Sequence, residues 1–217
     1  LYPCFISGPG DWPVWGHDSR HTFSQPLETS LEPPLELLWS RTHSISWGPI
    51  VVGNLSYWPE WKIGKASVLV ARDIKDGSLV WKSAEPISVS NWGMLGYGGG
   101  LIWGVVPYPN DYYHFNKFPY RLTGFAPDTG VKIATMEIPG PGTGGSTVLF
   151  TIDNDKMYLV RNCESVRTGY GGLIVVYDLK TYSIDFTLSI TGLGGDCQRM
   201  IWSPNVPIFD NDILYIA

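Results

Sequence analysis

Ala71-Arg-Asp-Ile-Lys-Asp-Gly-Ser-Leu-Val-Trp81 decides how the chain is read: an apolar strand running into Asp73, a polar Asp76-Gly77 turn, and a second strand ending on a tryptophan. Glycine after aspartate supplies the positive-φ position of a tight turn, and the short carboxylates of Asp73 and Asp76 can accept backbone donors there. The pattern returns twice. Thr123-Gly-Phe-Ala-Pro-Asp-Thr-Gly-Val-Lys-Ile-Ala134 and Val175-Val-Tyr-Asp-Leu-Lys-Thr-Tyr-Ser-Ile-Asp-Phe186 align with it. Thr129 and Thr181 then stand where Asp76 does, at successive spacings of 53 and 52 residues.

A second signal precedes each copy. Ile50-Val-Val-Gly-Asn-Leu-Ser-Tyr57, Leu95-Gly-Tyr-Gly-Gly-Gly-Leu-Ile-Trp103, Leu149-Phe-Thr-Ile-Asp-Asn-Asp-Lys-Met-Tyr158 and Pro207-Ile-Phe-Asp-Asn-Asp-Ile-Leu-Tyr215 each join an apolar strand to one carrying an aromatic, through a Gly/Asn/Asp turn. Such runs are hairpins. Two hairpins per repeat make a four-stranded meander, and roughly 40–50 residues per unit is the period of a propeller blade. No 3.6-residue periodicity accompanies the repeat, so helical solenoids are excluded. Kelch-type repeats are the rival, because glycine pairs occur at 98–99, 144–145, 171–172 and 194–195, but these pairs are out of register with one another.

The first copy, Ala71-x-Asp73-x-x-Asp76-Gly77-x-x-x-Trp81, resembles the tryptophan-docking motif of quinoprotein-like (PQQ-like repeat) β-propellers, with Asp76 in the usual threonine position. Asp11-Trp-Pro-Val-Trp-Gly-His-Asp-Ser-Arg-His21 and Pro34-Leu-Glu-Leu-Leu-Trp-Ser40 resemble the lead-in segment of the same family. The resemblance implies an all-β fold of four-stranded antiparallel blades, with Trp81 packing on the next blade and Ala134 making a smaller plug. About three and a half blades of a ring of about seven or eight are present. The expected division of this incomplete single domain is a lead-in with a closing outer strand over 1–46, blades over 47–83, 89–138 and 145–190, and the start of a fourth over 199–217. Leu37-Leu-Trp39 reads as the outer strand of the last blade, so further C-terminal sequence or a second chain would complete the ring. The chain opens on Leu1 without a charged-then-apolar leader, which is expected of a processed or partial sequence.

Composition agrees with this class. Hydrophobic residues are 44% of the 217 and charged residues 16%, which excludes disorder. With 15 basic and 20 acidic residues and no Lys/Arg cluster, a nucleic-acid partner is excluded. Apolar runs such as Leu101 to Val106 are far too short to span a membrane.

In a meander, the connections between second and third strands share a face of the disc with those between blades. The turns at Asp76, Thr129 and Thr181 lie on the other face. The first face receives the long aromatic stretches 59–64, 107–119 and 161–170 and the between-blade connections, among them 192–200; Trp61, Tyr112, Tyr113, His114, Arg167 and Tyr170 of the former and Arg199 of the latter are binding candidates. The alternative is that these side chains only roof the ring. Cys163 and Cys197 fall on the same face, either bridged, which would close a 34-residue span worth ~3 kcal/mol, or as two free thiols. Cys4 is left over. Asn54-Leu-Ser56 is a glycosylation sequon if the protein is secreted. Asp153 and Asp155 read as turn residues rather than metal ligands, matching Asp210 and Asp212.

No catalytic residue is assigned: the chain lacks a phosphate loop, a zinc spacing and a nucleophile elbow. The expected function is therefore a non-catalytic, extracytoplasmic interaction module that binds a protein through its loop face and needs no cofactor. The alternatives are a PQQ- and calcium-dependent dehydrogenase of sugars or alcohols, and a subunit of a cell-surface assembly. The absence of a Cys-Cys pair argues against the alcohol-oxidising subgroup that carries one.

Overall fold

The computed structural model describes residues 11–14, 17–22, 36–42, 48–62, 65–87, 94–107, 120–139, 148–161, 173–189 and 206–216. Among these it contains fourteen β-strands and no helix. Blade one is β1 (Ile50–Val52), β2 (Leu55–Lys62), β3 (Lys65–Asp73) and β4 (Leu79–Ile87). Blade two is β5 (Leu95–Gly98), β6 (Leu101–Pro107), β7 (Tyr120–Phe125) and β8 (Lys132–Glu137). Blade three is β9 (Val148–Asp153), β10 (Lys156–Arg161), β11 (Leu173–Asp178) and β12 (Ser183–Ser189). A hairpin of β13 (Ile208–Asp210) and β14 (Ile213–Tyr215) opens a fourth sheet. Each sheet pairs only consecutive strands, all antiparallel, so the chain is an all-β meander of partial propeller form.

The three repeat copies superpose in register. Ala71 faces Trp81, Gly124 faces Ala134 and Val176 faces Phe186, with a bulge beside each pair. The aromatic of each second strand, Tyr57, Trp103 or Tyr158, sits beside that pair on the side turned to the next blade. One difference from the sequence reading concerns 59–64. β2 runs on to Lys62, which pairs with Lys65, and a bulge between Glu60 and Lys62 absorbs Trp61. The connection there shrinks to residues 63–64, because Glu60 is buried against Arg72 and Lys82 of its own sheet and holds the strand in place.

Blades stack through apolar faces. Ile50, Tyr57, Leu69, Ala71 and Trp81 of blade one pack on Leu95, Tyr97, Ile102 and Phe125 of blade two. Trp103, Leu122 and Met136 pack on Phe150, Leu159 and Val175 of blade three. What fixes the rotation of blade one on blade two is Trp81. Its indole Nε1 donates to Pro127 O at 2.8 Å, and its ring lies against Gly130, where a Cβ would run into it. Trp39 repeats the arrangement one joint earlier, with Nε1 donating to Ile74 O at 2.8 Å and the ring 2.7 Å from a Cβ built on Gly77. At the third joint the sizes are exchanged. Ala134 replaces the tryptophan, Tyr182 takes the glycine position, and the Tyr182 ring lies 5.9 Å from that of Trp103.

Inner strands β1, β5, β9 and β13 lie side by side around the axis. Their second edges, which a propeller leaves unpaired, are used by residues 11–14 and 17–22. Trp12 and Val51 exchange N–H···O bonds of 2.7 and 2.8 Å, and Tyr97 N–H donates to Pro13 O at 2.7 Å. Ser19 Oγ donates to Asp153 Oδ1 at 3.1 Å, and Phe209 N–H donates to Ser19 O at 3.0 Å. One short segment thus bridges all four sheets.

Gly130 and Gly53 separate two effects. Both have left-handed backbone, φ +69 and +59, but only Gly130 faces an obstacle. Gly53→Ala should therefore cost about 1 kcal/mol of backbone strain. Gly130→Ala should cost that plus about 1–3 kcal/mol for displacing Trp81. Urea unfolding of the two variants checks this, and equal losses would contradict the docking role of Gly130.

Candidate functional site

The turn-side face of the disc is compact. Asp73 Oδ1 accepts from Lys75 N–H at 2.8 Å, Asp73 O from Gly77 N–H at 2.9 Å, and Asp76 Oδ1 from Ser78 N–H at 2.7 Å. The Ser78 amide holds the Asp76 carboxyl below its ordinary value. The third turn is built alike: Asp178 Oδ1 accepts from Lys180 and Thr181 N–H, both at 2.9 Å. Asn154 and Asn211 occupy left-handed positions in their hairpins, as the turn reading of the neighbouring aspartates expects. Asn54 is exposed in the β1–β2 turn. Asp73, Asp76 and Gly77 thus form the turn that receives Trp39, while Ala71 and Trp81 lie at the joint with blade two, where Tyr57 Oη donates to the same Pro127 O as Trp81, at 3.2 Å. Burial pushes the Tyr57 hydroxyl pKa up, so it stays a donor.

The opposite face is where residues 108–119 and 162–172 leave the ends of β6 and β10. Tyr112, Tyr113, His114, Arg167, Tyr170 and Arg199 lie outside the described residues, as do Cys163 and Cys197. Trp61 is placed by its backbone at that end of β2.

Sequence reasoning missed a buried charged set in blade one. Glu60, 1% exposed, receives Arg72 Nη2 at 3.5 Å on Oε1 and Lys82 Nζ at 2.7 Å on Oε2. Arg72 also donates from Nη1 to Gly77 O at 3.0 Å and stands 5.8 Å over the Trp58 ring. Where blade two has Ile102 opposite Phe125 and blade three has Met157 opposite Tyr177, blade one has Ser56 opposite Arg72. A signal was present, since Glu60, Arg72 and Lys82 are charged residues within the strand segments themselves.

Both Glu60 oxygens face cations, and Asp11 Oδ1 accepts the Gly53 N–H at 2.7 Å. Among the described residues no three His, Cys, Asp or Glu side chains gather to hold a metal ion. Nor, among them, is any helix long and apolar enough to cross a membrane.

The architecture is that of a β-propeller of four-stranded antiparallel blades, present in part. Comparison with solved structures finds the quinohemoprotein alcohol dehydrogenase ADHIIG of Pseudomonas putida HK5 at a TM-score of 0.61 and 20% identity, over 87% of this chain and 29% of that one. A europium-containing methanol dehydrogenase follows at 0.51 and 16%, over 84% of this chain and 32% of that one. BamB of Moraxella catarrhalis aligns at 0.24 and 16%, over 64% and 51%. The chain spans about a third of the length of the two dehydrogenases, and the likeness to those two shows the fold. No family model matches the sequence, and no curated protein does.

Two expectations follow. Trp81→Phe keeps the ring on Gly130 and leaves Pro127 O to Tyr57, so it should cost only about 1 kcal/mol, whereas Trp81→Ala should cost about 3–5 kcal/mol in denaturant unfolding. In blade three, Lys156 at the start of β10 contacts both Asp178, at 2.9 Å, and Asp185. The Lys156 ammonium, with the turn amides, holds the Asp178 carboxyl well below its ordinary value of 3.8. Any stability this gives is present above the unfolded-state pKa and is lost as pH falls through the folded one. Carboxyl NMR should place Asp178 below the usual range and move it up in Lys156→Met; an unchanged midpoint would show the contact to be ineffective.

Proposed function

We propose that this chain is the leading part of a non-catalytic, extracytoplasmic propeller that binds a protein partner through its loop face. The observation that carries the reading is the asymmetry of the two faces. On one, residues 11–14 and 17–22 contact the inner strands near their tight turns, and the turns at Asp73–Ser78 and Asp178–Thr181 are closed by their own side chains. That leaves the long connections at the other strand ends, rich in Tyr, His and Arg, as the surface with side chains suited to anchoring a partner. The extracytoplasmic placement rests on the family resemblance of the docking motif. The second reading is a quinone-dependent dehydrogenase of sugars or alcohols, favoured by the likeness of fold to two alcohol-oxidising enzymes. Its reacting groups would have to come from outside the described residues.

A photo-crosslinking amino acid placed at Tyr113 or Tyr170, and as controls at Thr129 or Lys180, tests the first reading in the native host. Adducts from Tyr113 and Tyr170 alone are expected; adducts confined to the turn-face controls would overturn it. Dye reduction by the protein supplied with pyrroloquinoline quinone, calcium and a panel of sugars and alcohols should stay at background. Turnover above background would establish the second reading instead.

A further inference from the structure

Residues 11–14 and 17–22 hold the inner strands by unlike means. The first stretch is bonded through its backbone, Trp12 to Val51 in both directions and Pro13 O to Tyr97 N–H, with Asp11 and Val14 buried. The second is held to β9 by side chains. Ser19 Oγ donates to Asp153 Oδ1 at 3.1 Å, and His21 Nε2 stands 3.4 Å from Oγ1 of the wholly buried Thr151. Phe209 N–H, donating to Ser19 O at 3.0 Å, ties the same stretch to β13. This second stretch is also strained. His17 and His21 both adopt left-handed backbone, φ 82 and 54, which a residue bearing a Cβ seldom keeps unless surrounding contacts hold it. Loosening its hold on β9 therefore relieves strain.

We infer that residues 17–22 form a latch across β9 and β13, closed while His21 is neutral and opened by its protonation, with residues 11–14 staying in place. The contact with Thr151 suits the neutral ring. A neutral imidazole nitrogen can donate to the Thr151 hydroxyl or accept from it, whereas an imidazolium can only donate. Burial against β9 also disfavours the charged ring and pushes His21 below its ordinary value of 6.5, with the Asp18 charge opposing this. Asp18 is already engaged, accepting from Thr22 N–H and Oγ1 at 3.1 Å and from Arg20 Nη2 at 3.2 Å. The other described charges on the elements it meets are Asp153 of β9, which receives Ser19 and Asn154, Asp210 of β13, which receives Asn211, and Asp212 in the turn after it. Because the folded value lies below the unfolded one, the latch holds fully above about pH 6.5 and is lost as pH falls through the folded value.

The latch is independent of what the loop face binds. Hydrogen exchange of the intact protein tests it, with the Phe209 amide reporting residues 17–22 and the Val51 amide, bonded to Trp12 O, reporting residues 11–14. From about pH 7.5 to about pH 5, the protection factor at Phe209 should fall roughly threefold or more while that at Val51 holds. In His21→Gln, whose uncharged amide can take the Thr151 contact, the fall should vanish. The His21 ring resonances of the wild-type protein give a second readout that needs no variant. Their titration midpoint should coincide with that of the loss at Phe209. Constant protection at Phe209, an equal fall at Val51, an equal fall in His21→Gln, or separate midpoints would overturn the latch.

Discussion

An indole lying flat on a glycine, with its N–H bonded to a carbonyl of the same turn, is the contact on which the blade stack depends. Two apolar sheets pressed together are indifferent to small rotations, because dispersion and water exclusion carry no direction. The Trp81 Nε1 to Pro127 O bond supplies that direction, and Gly130 supplies the clearance. Once that joint is set, the preceding one follows the same geometry with Trp39 and Gly77. The turn sequences then have little freedom, since a side chain at either glycine would meet both a ring and a left-handed backbone.

The third joint shows that the constraint is on volume and direction more than on residue identity. Ala134 and Tyr182 exchange the large and small partners, and Tyr177 Oη supplies a directional bond by donating to Glu137 O at 3.0 Å. Gly98 gives the room, for a Cβ there would lie 2.7 Å from Leu179 Cδ1. Blade one departs in the opposite sense. Its outward face carries Glu60 between Arg72 and Lys82 in place of apolar pairs, so successive joints around the disc are chemically distinct and blades are not interchangeable.

The sheet architecture was legible because its determinants are local. Asp76-Gly77 closes a turn whatever surrounds it, and the spacing of 53 and 52 residues turned one motif into three blades. The alignment of Ala71 with Trp81, Gly124 with Ala134 and Val176 with Phe186 was fixed by those turns, and the strand pairing repeats it. Less was legible where distant segments meet. Nothing around Glu60 announces that β2 continues through 59–62, since that depends on cations from two neighbouring strands. The route of residues 11–22 across four inner strands was likewise unreadable, because its partners, Val51, Tyr97, Asp153 and Phe209, are scattered along the chain. For the binding candidates, sequence located the face by topology alone.

That route constrains the order in which the molecule can be assembled. Ser19 accepts a hydrogen bond from Phe209, 190 residues further on. During vectorial synthesis the contacts of this segment are therefore complete only after β13 has emerged. Until then the inner edges of β1 and β5 either wait unpaired or are held by only part of the segment, and closing so long a span is entropically slow. The nascent chain passes through a stage in which separate blades exist but their axial edges are open to other strands. In such a chain the hazard of mispairing is greatest before β13 emerges, along the inner strands.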